Sequence, residues 1–595
     1  MGVKSVASAV LASLVLAVGV AAAEPAPASS ADARFEALYT REWAWRQKEL
    51  ARADDPESKR LAPYLPKVDA ASQSRRLAYW QEVRKQLDAI PRDQLSGEAQ
   101  VSYDVYRDQI DVRIAQQRFR EYEKPFNSDS SFWSSFNYTA RRPFLDARDY
   151  RDFIAQMKDI PRYFAEQTQN MRAGLKRGFT PPRSTLVGRE VSVSATVDAK
   201  GAENTLFWQP FASMPASIPA AEQAALRAEA KQVIEGQVQP AYGRLLTFLR
   251  QEYIPGTTET LAAEALPDGP AYYRAQIKEF STLDLEPEAI HQIGLTEVAK
   301  IRAQMEQVMK ETGFEGDFPA FLTYLRTDPK FYAKTPEELL ARGAWIAKRV
   351  DGKLSSYFGW LPRSRFTIEP VPADMAPFYT SARGGARSYL INTYDLPSRP
   401  LFNLTALTLH ESAPGHSLQG ALAEEQEGLP EFRRYVYISA YGEGWALYCE
   451  RLGLEMGLYD TPYDRFGMLT FQMWRAARLV VDTGIHHKGW TREQAIAFLH
   501  DNTALSDHDI RIEVDRYISW PGQAVSYYLG MMAIIDMRAR AEKALGPKFD
   551  IRAFHDTVLS TGSTPLPVLE ARIDRFIAEG GRDPMPVKFQ GATAP

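Results

Sequence analysis

The chain has 595 residues, 45% hydrophobic and 25% charged, which is the balance of a water-soluble globular protein long enough to bury a large core. A formal net charge of −4 excludes the strong basic bias of a dedicated nucleic-acid binder. The single cysteine, Cys449, excludes an intrachain disulfide and sits in an apolar helical stretch as a core residue.

The first element is a leader. Residues 1–23 carry Lys4, an apolar run from Val6 to Val20 and small residues Ala21–Ala23, the three-part pattern of a secretory signal peptide cut near Ala23. A Pro/Ala/Ser linker follows over 24–34. The expectation is a periplasmic or secreted protein, with no stable membrane insertion after cleavage and no cysteine near the junction to carry a lipid.

Helical periodicity then dominates. Segments Ala33–Ala53, Ser72–Ile90, Glu98–Glu123, Tyr150–Leu175, Ala221–Glu252, Glu288–Glu311 and Thr335–Val350 repeat apolar residues at three- and four-residue spacing. Pro161 and Pro240 fall inside two of them and are expected to split or kink them. Strand patterns are few: Ser184–Val197 alternates, Arg365–Val371 is short, and Ser388–Asn392 precedes the most unusual stretch of the chain. The predicted class is mainly α with a small β-sheet. Residues 35–256 read as an N-terminal helical scaffold and 257–595 as a catalytic region, the two forming either separate units or one continuous domain.

Six of the eight histidines fall between residues 410 and 508. There, HESAPGH (410–416) opens like the zinc-peptidase helix signature His-Glu-x-x-His, with the second histidine two residues late. Residues six apart on a helix of about 3.6 residues per turn point roughly 120° from each other. One ion therefore requires a break, which Pro414 and Gly415 supply. Downstream, YGEGWALYCER (441–451) presents Glu443 as a third ligand on a second helix, with Glu450 two turns later on the same face to support a ligand histidine. His410, His416 and Glu443 make a two-imidazole, one-carboxylate set suited to one Zn²⁺ per chain, with Glu411 as general base.

A third stretch, residues 512–530, offers donors for a developing oxyanion: Arg516, Tyr517, Tyr527 and Tyr528, with Gln523 as a substrate contact. Aromatic residues at helical spacing are equally consistent with core. Arg475, Arg478, His486 and His487 are weaker candidates. Upstream, Phe378–Asn392 reads as a Gly-containing loop feeding a short strand, whose edge could pair with an extended peptide. Arg383 and Arg387 there could meet a substrate carboxylate, or the loop could be plain surface.

HESAPGHSLQ, EGWALYCERLG and EVDRYISWPGQAVSYYLG together resemble the bacterial family catalogued as domain of unknown function 885, over nearly all of the chain after the leader. That family is similar to gluzincins, zinc peptidases with two histidines and a glutamate, although its His-to-His spacing is longer. The resemblance implies a zincin-like helical catalytic body with a short sheet and a deep cleft, His410, His416 and Glu443 as metal ligands and Glu411 as base. The expected function is a zinc metallopeptidase acting on short peptides, with dipeptidase, carboxypeptidase and oligopeptidase modes all open. The alternatives are a non-enzymatic peptide-binding or chaperone-like protein with a structural metal, and a metal-dependent hydrolase of another amide or ester. No Gly-x-Ser-x-Gly elbow supports serine chemistry. Oligomeric state is not legible.

Overall fold

The computed structural model describes residues 30–51, 60–373, 375–582 and 584; the predicted leader and most of the linker lie outside them. Helices α1 (Ala31–Leu50), α2 (Ala70–Asp88) and α3 (Gly97–Phe119) open the fold, followed by α4 (Ser135–Arg141) and the long α5 (Ala147–Arg177). The starts are capped as polar side chains predict: Ser30, Asp69 and Asp146 accept backbone N–H groups of the first turns of α1, α2 and α5.

Pro161 does not split α5, which runs through it without a break. The lost backbone bond costs ~3 kcal/mol. Against it, the helix buries Phe153, Ile154, Met157, Ile160, Phe164 and Met171, each worth about 1.5–3 kcal/mol. The Ser184–Val197 stretch is a second correction. It is not a strand but a helical turn at Arg183–Leu186 and a helix, α6 (Val191–Val197). No strand lies alongside to satisfy its backbone, whereas a helix does so internally and buries Val193 and Thr196, three residues apart, on one face. Helices α7 (Ala220–Val233) and α8 (Gln239–Phe248) are joined by a π-helical turn at Ile234–Val238 directly before Pro240. The wider turn accommodates the missing N–H, so Pro240 bends the register without ending the helix.

Helices α9 (Pro287–Glu311) and α10 (Pro336–Asp351) lead into the sheet of β1 (Thr367–Pro370), β2 (Ala382–Gly385) and β3 (Ser388–Ile391), in the order β1-β3-β2. β1 runs parallel and β2 antiparallel to β3. The Gly-containing segment read as a loop is thus partly an edge strand. Then follow α11 (Leu404–Glu411), α12 (His416–Glu424), α13 (Ser439–Glu455), α14 (Pro462–His486), α15 (Asp507–Ser519) and α16 (Ser526–Leu545). The protein is mainly α with one small sheet.

The apolar residues separate into clusters. One joins α1–α3 with Phe432, a second spans residues 126–254 together with Leu61, and the largest spans 263–576 together with Phe179. Phe432 and Phe179 each cross the division near residue 256, tying scaffold and C-terminal region together. In the largest cluster α14 is buried on nearly every face from Phe466 to His486, as expected of a central helix. Among the described residues no helix is long and apolar enough to cross a membrane.

Candidate metal centre

LTALTLHE forms α11, buried on almost every side, and ends at Glu411. Ser412 closes it, with both its N–H and Oγ donating to the Thr408 carbonyl at 2.9 and 2.6 Å. The chain then turns back and α12 starts at His416. Gly415 makes the return possible: a Cβ there would stand 1.9 Å from the His410 carbonyl oxygen. The loop is pinned from both sides, by Trp445 Nε1 donating to the Pro414 carbonyl at 2.9 Å and by Ser417 Oγ donating to the Glu411 carbonyl at 3.0 Å. The consequence is that two histidines 120° apart on a regular helix come ring to ring, with centroids 4.9 Å apart.

α13 brings the third group. Glu443 Oε2 lies 3.5 Å from His410 Nε2 and 3.3 Å from His416 Nε2. One donor atom from each of the three residues lies within 4.8 Å of the other two, and no other such set of three occurs among the described residues. Behind His410, Glu450 is fully buried and its Oε1 meets His410 Nδ1 at 2.8 Å. That contact places a proton on Nδ1 and turns Nε2 towards Glu443 and His416. Burial opposes charge on His410, but hydrogen bonds to Glu443 and Glu450 and the charge of Glu411 prevail, pushing its pKa up to about 9. Burial would raise Glu443, yet His416 and His410 hold it well below the usual carboxylate range. Two imidazoles and a carboxylate facing one point could hold a divalent cation, and their chemistry fits zinc.

Glu411 stands beside the trio on the last turn of α11. Its Oε2 accepts the Gly384 N–H of edge strand β2 at 2.6 Å. Tyr437, absent from the sequence reading, donates its hydroxyl to Glu443 Oε1 at 2.7 Å while 58% of the residue remains exposed. It marks the open side of the group. Arg383 of β2 lies within electrostatic reach of Glu411 and bonds Tyr379, and both feel Tyr138 of α4, a scaffold residue. Arg387 belongs elsewhere: it is exposed and pairs with Glu424 at 3.6 Å.

The 512–530 donors divide. Arg516 donates to Gln523 Oε1 at 3.0 Å and to the Tyr527 hydroxyl at 3.3 Å, and Gln523 Nε2 reaches Ser439 Oγ, one turn before Glu443, at 3.4 Å. Tyr517 does not join them. It is buried, and its hydroxyl accepts from Trp474 Nε1 and Arg478 Nε at 2.8 Å each, so packing commits it to the core. Tyr528 likewise donates to Glu297 on α9 at 2.9 Å, away from the trio. His486 is structural, bridging the Ala263 N–H and the Tyr517 carbonyl, and His487 pairs with Glu264. Arg475 packs over Phe471 and Trp474, with Nη2 3.8 Å from Glu450. A separate cavity of about 780 Å³, lined by Trp45, Tyr64, Arg75 and Arg162 among others, shares no residue with this group. A signal for Tyr437 existed in its place just before α13; none existed for Tyr138 or for the Gly384 N–H.

The chain superimposes on the crystal structure of a "putative lipoprotein" from Colwellia psychrerythraea with a TM-score of 0.85 at 26% identity, over 92% of this chain and 100% of that one. A "putative lipoprotein of unknown function" from Shewanella oneidensis shares the fold at a TM-score of 0.69 and 18% identity, over 91% and 99% of the two chains. No curated protein matches. A family model described as bacterial protein of unknown function (DUF885) matches residues 57–573, and with nearly the whole of the described chain inside that match, the protein belongs to the DUF885 family.

Proposed function

We propose that the protein is an exported zinc-dependent peptidase acting on short peptides. The observation that carries this reading is the convergence of His410, His416 and Glu443 within 4.8 Å, with Glu411 beside them and tied to an edge strand. A structural metal site has no use for that Glu411. When bound by His410, His416 and Glu443, a zinc ion would polarise a substrate carbonyl and acidify the attacking water. The chain's own groups do the rest. Glu411 takes the proton of the water as its oxygen adds to the carbonyl carbon, then passes it to the amide nitrogen as the C–N bond breaks. The Tyr527 hydroxyl, whose proton is free because Arg516 is the donor in their bond, would meet the oxyanion.

The edge strand supports a peptide substrate. The Gly384 N–H points away from β3 and towards Glu411, and the two-residue period of a strand turns the backbone groups of Ala382 the same way. The Gly384 carbonyl and the Ala382 groups, which share that direction, suit an extended main chain added alongside β2. Export is supported by the leader pattern in residues 1–23 and by the lipoprotein description of both similar structures.

The test pairs metal content with turnover of a mixed peptide library, for wild type and Glu411→Gln. Stoichiometric zinc in both, with turnover only in wild type, supports the peptidase. Zinc with no turnover in either leaves a structural metal, and no zinc after reconstitution sinks the reading. Unchanged zinc affinity in His416→Ala would remove His416 from the ligand set.

A further inference from the structure

The α13–α16 crossing places a second group of side chains beside the trio. The two helices touch at Gly444 and Gly530, where a Cβ on Gly530 would stand 2.0 Å from the Ala440 carbonyl oxygen. Tyr527 is one turn before Gly530 and therefore lies next to the turn of α13 that carries Glu443. Beyond Tyr527 sit Arg516 and Gln523.

The carboxylates here are mostly engaged elsewhere. Arg475, Arg478 and Arg516 face Glu443, Glu450 and Glu513, and Glu443 is turned to His410 and His416. Glu450 is held by His410 and Glu513 by Arg478 at 2.8 Å, leaving Arg516 only a long 3.4 Å contact to Glu513. Its remaining partners, Gln523 and Tyr527, are neutral, and about a quarter of its side chain (24%) is open to solvent. Asp129, on the scaffold loop that meets α15, is a further acid within its electrostatic reach and also accepts Trp520 Nε1 at 3.2 Å. Nε and Nη1 of Arg475 and Nη1 of Arg478 are buried without a hydrogen-bond partner. Guanidinium donors left without partners in a low-dielectric wall attract an anion, and a guanidinium presents paired donors that match a carboxylate.

We infer that Arg516, supported by Gln523, binds a carboxylate of the substrate on the far side of Tyr527 from the metal group. This deepens the peptidase reading and rests on it. The carboxylate is either the C-terminus of a peptide cut near its end, which makes the enzyme a carboxypeptidase or dipeptidase, or an acidic side chain close to the scissile bond.

Three peptides of one core sequence separate these sources: a free C-terminal acid, its carboxamide, and a carboxamide carrying Glu at the last position. For the zinc-loaded enzyme, the acid is expected to exceed the plain carboxamide on the order of 10- to 100-fold in kcat/KM, chiefly through KM, as for a lost charged hydrogen bond. Recovery by the Glu-carboxamide would assign the site to side chains. Arg516→Gln collapses these ratios towards one, and Gln523→Glu, which sets a like charge against the ligand, reverses them even if the first variant folds poorly. Equal turnover of all three by wild type overturns the carboxylate site and leaves the peptidase reading standing. If none is cleaved, the peptidase reading fails instead, and calorimetry of the same peptides on Glu411→Gln decides this inference alone: tighter binding of the acid or Glu peptide supports it, and equal or no binding overturns it.

Discussion

His410 and His555 are both enclosed, 2% and 0% exposed, yet their surroundings act on them in opposite directions. His555 lies between the Tyr448 hydroxyl and the Tyr357 carbonyl, each at 2.8 Å, and stacks on Phe358. Burial with no acid at hand pushes its pKa down to about 3. His486 has the same kind of neighbourhood, backbone groups at both ring nitrogens, and falls to about 4. His410 has a carboxylate at each nitrogen and rises to about 9. Burial alone therefore says little about what a histidine does. Neutral partners make it a packing residue held uncharged, and convergent acids make it one pole of a site that wants positive charge at its centre.

The sharpest way to separate the two regions is through Glu411. Glu411→Gln is expected to lower kcat by about 10²–10⁴ with zinc content unchanged, because in the proposed mechanism the side chain moves the proton and does not hold the metal. Elemental analysis and single-turnover assays read both quantities.

The structural histidines respond to acid instead. The folded pKa of His555 lies below its unfolded value of 6.5, so its contribution is complete above pH 6.5 and is lost as pH falls towards about 3. Between pH 7 and pH 4, wild type should lose on the order of 3 kcal/mol more stability than His555→Gln, read from denaturation midpoints; His486 contributes its own acid loss to both. The comparison with the variant matters, because Asp482, pushed by burial up to about 7, contributes with opposite sign and loses stability as pH rises. A variant with the same acid slope as wild type would show that His555 is not held neutral by the fold.

Glu450 tests whether the carboxylate partner is what distinguishes His410. Removing its charge in Glu450→Gln should weaken zinc affinity 10- to 100-fold, measured by competition with a chelator, while leaving the ligands in place. The smallest effect is expected from Arg387→Ala, since an exposed pair with Glu424 contributes at most about 1 kcal/mol. Its kcat/KM should stay within twofold of wild type, whereas Arg383, beside Glu411, has no such expectation of silence.

The helices were legible because their cores repeat at helical spacing, and the motif because its groups are close in sequence or share a helix face. His410, Glu411 and His416 lie within seven residues, and Glu443 and Glu450 two turns apart. Tyr517 and Tyr528 were misread for a reason that spacing cannot cure. A buried tyrosine and a tyrosine lining a recess occupy the same kind of position on a helix, and only the neighbours show that Trp474, Arg478 and Glu297 have claimed these hydroxyls. The Ser184–Val197 error has a related origin, since alternation predicts a strand only where another strand is present to pair with it.

By itself, then, the sequence determined the helical class, the break in HESAPGH and the identity of the convergent donors, because proline, glycine and residue spacing act over a few residues. Tertiary structure alone decided that the break closes towards Glu443, that β2 delivers the Gly384 N–H to Glu411, that Tyr437 caps Glu443, and that Arg516 stays partly open beside them. Those facts depend on which surfaces meet when α13 packs between α11 and α16, and contacts between elements far apart in the chain are set by the packing of the whole core.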